Sequence, residues 1–181
     1  MNNTFIFVQL SNCPIVQLSN CPTETMHQPI LILGIGNILL ADEGVGVHVV
    51  RELENRKDPD HVNILDGGTG GFHLLSIFEQ YQKIILIDAA LDGNAPGTVN
   101  LLQPKYSKDF PKTLSSHDIG LKDLIESSAL LGFMPEVSLI TVSISDNQPI
   151  DMELSEVVST SIPTVIELIN KILRDQSEIG K

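Results

Sequence analysis

The chain has 181 residues, long enough for one domain with a proper core, and 42% of them are hydrophobic, as in a soluble globular protein. No apolar run approaches the length that spans a membrane. The formal net charge of -12 argues against nucleic acid or an anionic membrane as partner, because gripping phosphates needs a basic surface, and suits a cationic peptide or a metal ion better.

The first segment is a repeat: Val8 to Pro14 reads VQLSNCP, and the same letters recur from Val16 to Pro22. Two such short copies do not make a solenoid, which needs at least three longer stacked units. Nor do they make a signal peptide, since no Lys or Arg precedes Arg51, the apolar stretch Phe5 to Leu10 is short, and no clean small-residue cleavage site follows. Residues 1–25 therefore read as a disordered or non-native leader, and residues 26–181 as the folded domain. Both cysteines, Cys13 and Cys21, fall in the repeat, so the body has no disulfide, no thiolate metal site and no cysteine nucleophile.

Folding begins with Ile30 to Leu33, a continuous apolar run of the kind buried on both faces of a parallel sheet, and Gly34-Ile35-Gly36-Asn37 then turns the chain sharply. Asp42 and Glu43 stand just before Gly44 and Gly46, where Val45, Val49, Val50 and Leu53 begin a helical stripe. Carboxylates at a helix start are caps or ligands. Asp42 reads as the cap; Glu43 beside it adds repulsion unless a cation is recruited. A dinucleotide turn is the rival reading, but Leu39 occupies the place of its third glycine, and a pyrophosphate would meet both carboxylates.

The helix runs to about Arg56, and His48 within it is given no role. Val62 to Leu65 is a second strand that delivers Asp66-Gly67-Gly68-Thr69-Gly70-Gly71, either a ligand loop with amides facing a crevice or a plain strand-to-helix turn. After a helix over about Phe72 to Gln80, Lys83 to Ile87 is a third, central strand ending in Asp88, with small Ala89 and Ala90 behind it. Thr98 to Leu102 reads as an antiparallel edge strand, because only a short loop separates it from the third. The polar loop Gln103 to Leu114 precedes Ser115-Ser116-His117-Asp118, which opens a helix to about Leu131. A first-turn histidine is either solvent-exposed or, kept neutral by the helix dipole, a ligand. Glu136 to Ile144 is a further strand, and the final helix, Leu154 to Arg174, breaks or bends at Ile162-Pro163.

Glu43, Asp66, Asp88 and His117 thus all fall at strand carboxyl ends or at the helix starts that face them. Carboxylates with an imidazole suit a borderline divalent cation such as nickel, zinc or manganese, with positions left open for a substrate. Neither a His-Glu-x-x-His motif nor a Gly-x-Ser-x-Gly elbow is present.

Four blocks taken in order carry a resemblance: Gly34-Ile-Gly36-Asn37-Ile-Leu-Leu-Ala-Asp42-Glu43-Gly44-Val-Gly46, Asp66-Gly67-Gly68-Thr69, Ile87-Asp88-Ala89, and Ser116-His117-Asp118-Ile-Gly120-Leu121. From Pro29 onward the chain resembles the hydrogenase maturation proteases. The resemblance implies a single α/β domain, a twisted and mostly parallel sheet of about five strands between helices. It also implies a cytoplasmic, monomeric, aspartic-type endopeptidase that removes a carboxyl-terminal extension from the precursor of a nickel-iron hydrogenase large subunit. Glu43, Asp88 and His117 would be the ligands of nickel already inserted in the substrate, Glu43 or Asp88 the catalytic carboxylate, and Gly36, Asn37, Asp66, Gly67, Gly68 and Thr69 the substrate-binding residues. Nickel could act as Lewis acid or only license the substrate for cutting. The alternative on the same scaffold is a non-catalytic metal-sensing or chaperone module that binds the nickel-loaded precursor.

Overall fold

A computed structural model describes residues 29–54, 56, 61–104 and 121–179. The leader 1–25, most of the loop Gln103 to Leu114, and His117 lie outside the described residues. The elements are β1 (Ile30–Gly34), a 3-10 turn (Ala41–Gly44), α1 (Val45–Glu54), β2 (Val62–Asp66), a 3-10 turn (Phe72–Leu74) leading into α2 (Leu75–Phe78), β3 (Lys83–Ala90), β4 (Val99–Leu102), α3 (Leu121–Leu130), β5 (Glu136–Ser143), α4 (Glu156–Ser159) and α5 (Ile162–Ile179).

The strands form one five-stranded sheet in the order β2-β1-β3-β5-β4. All pairings are parallel except that of β4 with β5. The apolar runs of β1, β3 and β5 are explained by covering both faces of the sheet. Ile30 and Ile32 share one core with Val45, Val49 and Leu53 of α1 and with Val165, Ile166 and Ile169 of α5. Leu31 and Leu33, alternating with them, share the other core with Leu74, Phe78, Leu124 and Ile125 beside α2 and α3. Helices therefore sandwich the sheet, as the resemblance implied.

Several boundaries differ from the sequence reading. β4 is an antiparallel edge strand, but it pairs with β5, because β1 and β5 already occupy both sides of β3. β3 runs on through Ala90, so Asp88 lies inside the strand; its small neighbours Ala89 and Ala90 continue the pairing with Val142 and Ser143. The last helix is split: α4 is a single turn, and α5 begins at Ile162 with Pro163 in its first turn, where a missing N–H costs nothing. It continues to Ile179, five residues past the expected end.

Candidate active site

In a sheet of this order the chain leaves β1 toward β2 on one side and β3 continues toward β5 on the other, so the crevice beyond the carboxyl ends of β1 and β3 is the topological switch point. β1 and β3 stay paired as far as Gly34 and Ile87. Asp88 is the first residue beyond that pairing. Strand alternation puts it on the face of Ile84 and Leu86, the side covered by α2 and α3. It is buried, and its Oδ1 accepts a hydrogen bond from the Ala89 N–H at 2.8 Å.

Glu43 approaches from the β1 side, buried in the 3-10 turn Ala41–Gly44. Ala41 has a φ of 41°, a left-handed conformation that costs an L-residue about 1–2 kcal/mol. Hydrogen bonds to a distant segment hold that turn: the Ala41 N–H donates to the Asp151 carbonyl at 2.8 Å and the Asp42 N–H to Gln148 Oε1 at 3.0 Å. The Asp42 carboxylate accepts from the Ser155 N–H at 2.7 Å and the Ser155 hydroxyl at 2.9 Å. The expected cap role of Asp42 is thus corrected. No side-chain cap bond is made at the start of its own turn, and the carboxylate instead anchors Ser155, the N-cap of α4.

Two glycines bring the halves of the site together by close backbone approach. A Cβ on Gly36 would lie 2.1 Å from the Glu43 carbonyl oxygen. One on Gly46 would lie 2.4 Å from the carbonyl oxygen of Ile87, the residue before Asp88. The Ile35 N–H also donates to that Ile87 oxygen at 2.8 Å. Glycine spacing that resembled a nucleotide turn therefore serves to seat the Glu43 turn and the start of α1 against β3.

The loop after β2 is stitched to the same place. The Gly67 N–H donates to the Gly34 carbonyl at 2.8 Å, and the Gly36 N–H to the Gly68 carbonyl at 2.7 Å. Asp66 Oδ1 accepts from the Gly68 N–H at 2.9 Å, while Oδ2 accepts from Arg51 Nε and Nη2 at 3.2 and 3.0 Å. The amides of Gly67 and Gly68 are engaged within the chain and do not point into a crevice, which corrects the ligand-loop reading of their donors. Thr69 is exposed at the loop tip. Asn37 closes its own turn, its Oδ1 accepting from the Leu39 N–H at 3.0 Å. Arg51, Gln148 and Ser155 had no signal in the sequence as supports of this site, since each acts across a long chain separation.

As chemistry, the arrangement presents the oxygen donors Glu43 and Asp88 from two sides of the switch point. Among the described residues no group of three or more His, Cys, Asp or Glu forms a metal site. Two oxygen donors without a thiolate would by themselves make only an open and weak site for a borderline cation.

Buried carboxylates stand at the switch point of a three-layer α/β sheet, the place where open sheets of this class bind their ligands. Residues 47–172 match the family model described as hydrogenase maturation protease, HycI, and the chain belongs to that family. It is 37% identical over 161 residues to the hydrogenase expression/formation protein HupD of Bradyrhizobium diazoefficiens, covering 84% of this chain and 82% of that one. Among solved structures it is similar to the hydrogenase maturating endopeptidase HybD from Escherichia coli, with a TM-score of 0.73 at 36% identity, covering 81% of this chain and 93% of that one. It is also similar to a NiFe hydrogenase maturation protease, HybD, from Thermococcus kodakarensis, with a TM-score of 0.66 at 27% identity, covering 80% and 98%. The chain is accordingly an endopeptidase of hydrogenase maturation.

Proposed function

We propose that this peptidase removes a carboxyl-terminal extension from the precursor of a nickel-iron hydrogenase large subunit, and that it recognises nickel already inserted in that substrate through Glu43, Asp88 and His117. The observation that carries the reading is the pair of buried carboxylates, Glu43 and Asp88, held at one switch point by close glycine contacts. His117 lies outside the described residues and enters the reading through the resemblance, as the donor that stands four residues before α3 in the chain. Such a site holds free nickel poorly, so a precursor that brings the ion on its own soft ligands would have its metal shell completed on docking. Gly36, Asn37, Asp66, Gly67, Gly68 and Thr69 are proposed as the substrate-binding residues. We assign the aspartic-type role to Glu43 or Asp88, as the base that activates water against the scissile carbonyl. A cytoplasmic reaction and a monomeric protease belong to the same proposal. Among the described residues no helix is long and apolar enough to cross a membrane.

The test incubates the purified protease with nickel-free and nickel-loaded precursor and follows loss of the carboxyl-terminal peptide by mass. Cleavage of the loaded form alone is expected. Equal cleavage of both forms overturns nickel recognition, and binding without any mass change favours the chaperone alternative.

A further inference from the structure

The loop that carries Glu43 also carries an apolar surface. Leu40 forms a parallel bridge with Asp151, the Asp151 N–H donates to the Leu39 carbonyl at 3.2 Å, and the Ala41 N–H returns to the Asp151 carbonyl at 2.8 Å. That register sets Leu39 beside Ile150, at the roughly 4.8 Å spacing of paired strands, with Met152 next along the same segment. Leu39 is 55% exposed, Ile150 90% and Met152 54%. Single exposed apolar residues are ordinary. Three adjoining ones, on a segment tied directly to the turn that bears Glu43, mark an interaction surface.

We infer that Leu39, Ile150 and Met152 are the docking surface for an apolar segment of the precursor protein that lies beside the bond to be cut. This rests on the function proposed above. Continuity selects the occupant: Leu39 shortly precedes Glu43 on one loop, so the patch adjoins the turn that the end of a substrate chain would have to reach. Charge selects it again. Asp146, Asp151 and Glu153 of the same segment are exposed, which favours an apolar stretch with a basic flank and disfavours a second copy of a chain whose net charge is -12. A second exposed group, Leu130, Leu131 and Met134, follows α3 and leads into the start of β5, at the amino-terminal edge of the sheet away from Glu43 and Asp88. It serves as an internal control.

The test measures steady-state cleavage of nickel-loaded large-subunit precursor by wild type, by the triple variant Leu39→Ser/Ile150→Ser/Met152→Ser, by Ile150→Ser alone, and by the control Leu130→Ser/Leu131→Ser. The triple variant is expected to raise KM roughly tenfold with kcat near wild type, and Ile150→Ser to move KM the same way by less. Because these side chains are exposed, Tm stays at the wild-type value in all variants. A wild-type KM in the triple variant overturns the inference, as does an equal rise in the control or a loss of kcat with KM unchanged. Precursor binding to the same proteins is measured in parallel. If wild type binds the precursor but does not cut it, the function fails; if the triple variant then binds as tightly as wild type, the docking surface fails with it, and weaker binding supports the surface on its own.

Discussion

Glu43 and Asp88 are carboxylates that folding has taken out of water, a cost that a fold bears where a site needs it. Glu43→Gln and Asp88→Asn keep the shape and remove the charge. Each is expected to lower the rate of precursor cleavage by about 100-fold or more, with thermal unfolding by circular dichroism close to wild type, and His117→Ala is expected to behave alike. Full activity in Asp88→Asn would sink the shared site. Asp42 is the contrasting neighbour. Its carboxylate binds the Ser155 N–H and hydroxyl, so Asp42→Ala is expected to destabilise the protein by about 2–3 kcal/mol in urea unfolding, while Asp42→Asn retains part of the tie. Charge repulsion made Glu43 readable in the sequence as something other than a cap. Nothing local could reveal the partner of Asp42, which stands 113 residues away.

Between elements, the decisive contacts are backbone against backbone. Gly46→Ala drives a Cβ to within 2.4 Å of the Ile87 carbonyl oxygen, and main chain at the centre of a parallel sheet has no room to yield. A loss of about 3 kcal/mol or more is expected, read as a lower urea midpoint at unchanged slope. The turn between β3 and β4 carries a pH signal. Partial burial pushes the Asp92 carboxyl up, but hydrogen bonds from the Asn94 N–H at 3.1 Å, the Ser143 hydroxyl at 3.0 Å and Asn94 Nδ2 at 2.8 Å outweigh it, so its pKa lies below the usual value. A depressed folded pKa contributes stability that is present above the unfolded value and disappears as pH falls through the folded one. The Tm difference between wild type and Asp92→Asn is therefore expected to be constant above about pH 5 and to shrink below about pH 4. It is a small difference, because the side chain is mostly in water.

For the whole molecule, the described residues build two apolar cores on opposite faces of one sheet, drawn from Ile30 to Ile172. The repeat before Met26 has neither helical nor strand periodicity. Deleting residues 1–25 is expected to leave Tm within about 4 °C of the full chain, a shift of about 1 kcal/mol or a little more at this size. A larger drop would show that the segment packs on the body.

The sequence by itself determined the parallel strands, because a strand covered on both faces must be continuously apolar, as in ILIL of β1 and IILI of β3. It also determined the break near Pro163, since proline geometry acts between near neighbours. Its four ordered blocks carried the family. The tertiary structure alone decided that β4 pairs with β5, that Asp42 anchors Ser155, that Arg51 holds Asp66, and that Leu39 lies beside Ile150. Each of these joins residues far apart in the chain, and such partners are chosen by the packing of the whole sheet, which no local pattern of side chains encodes.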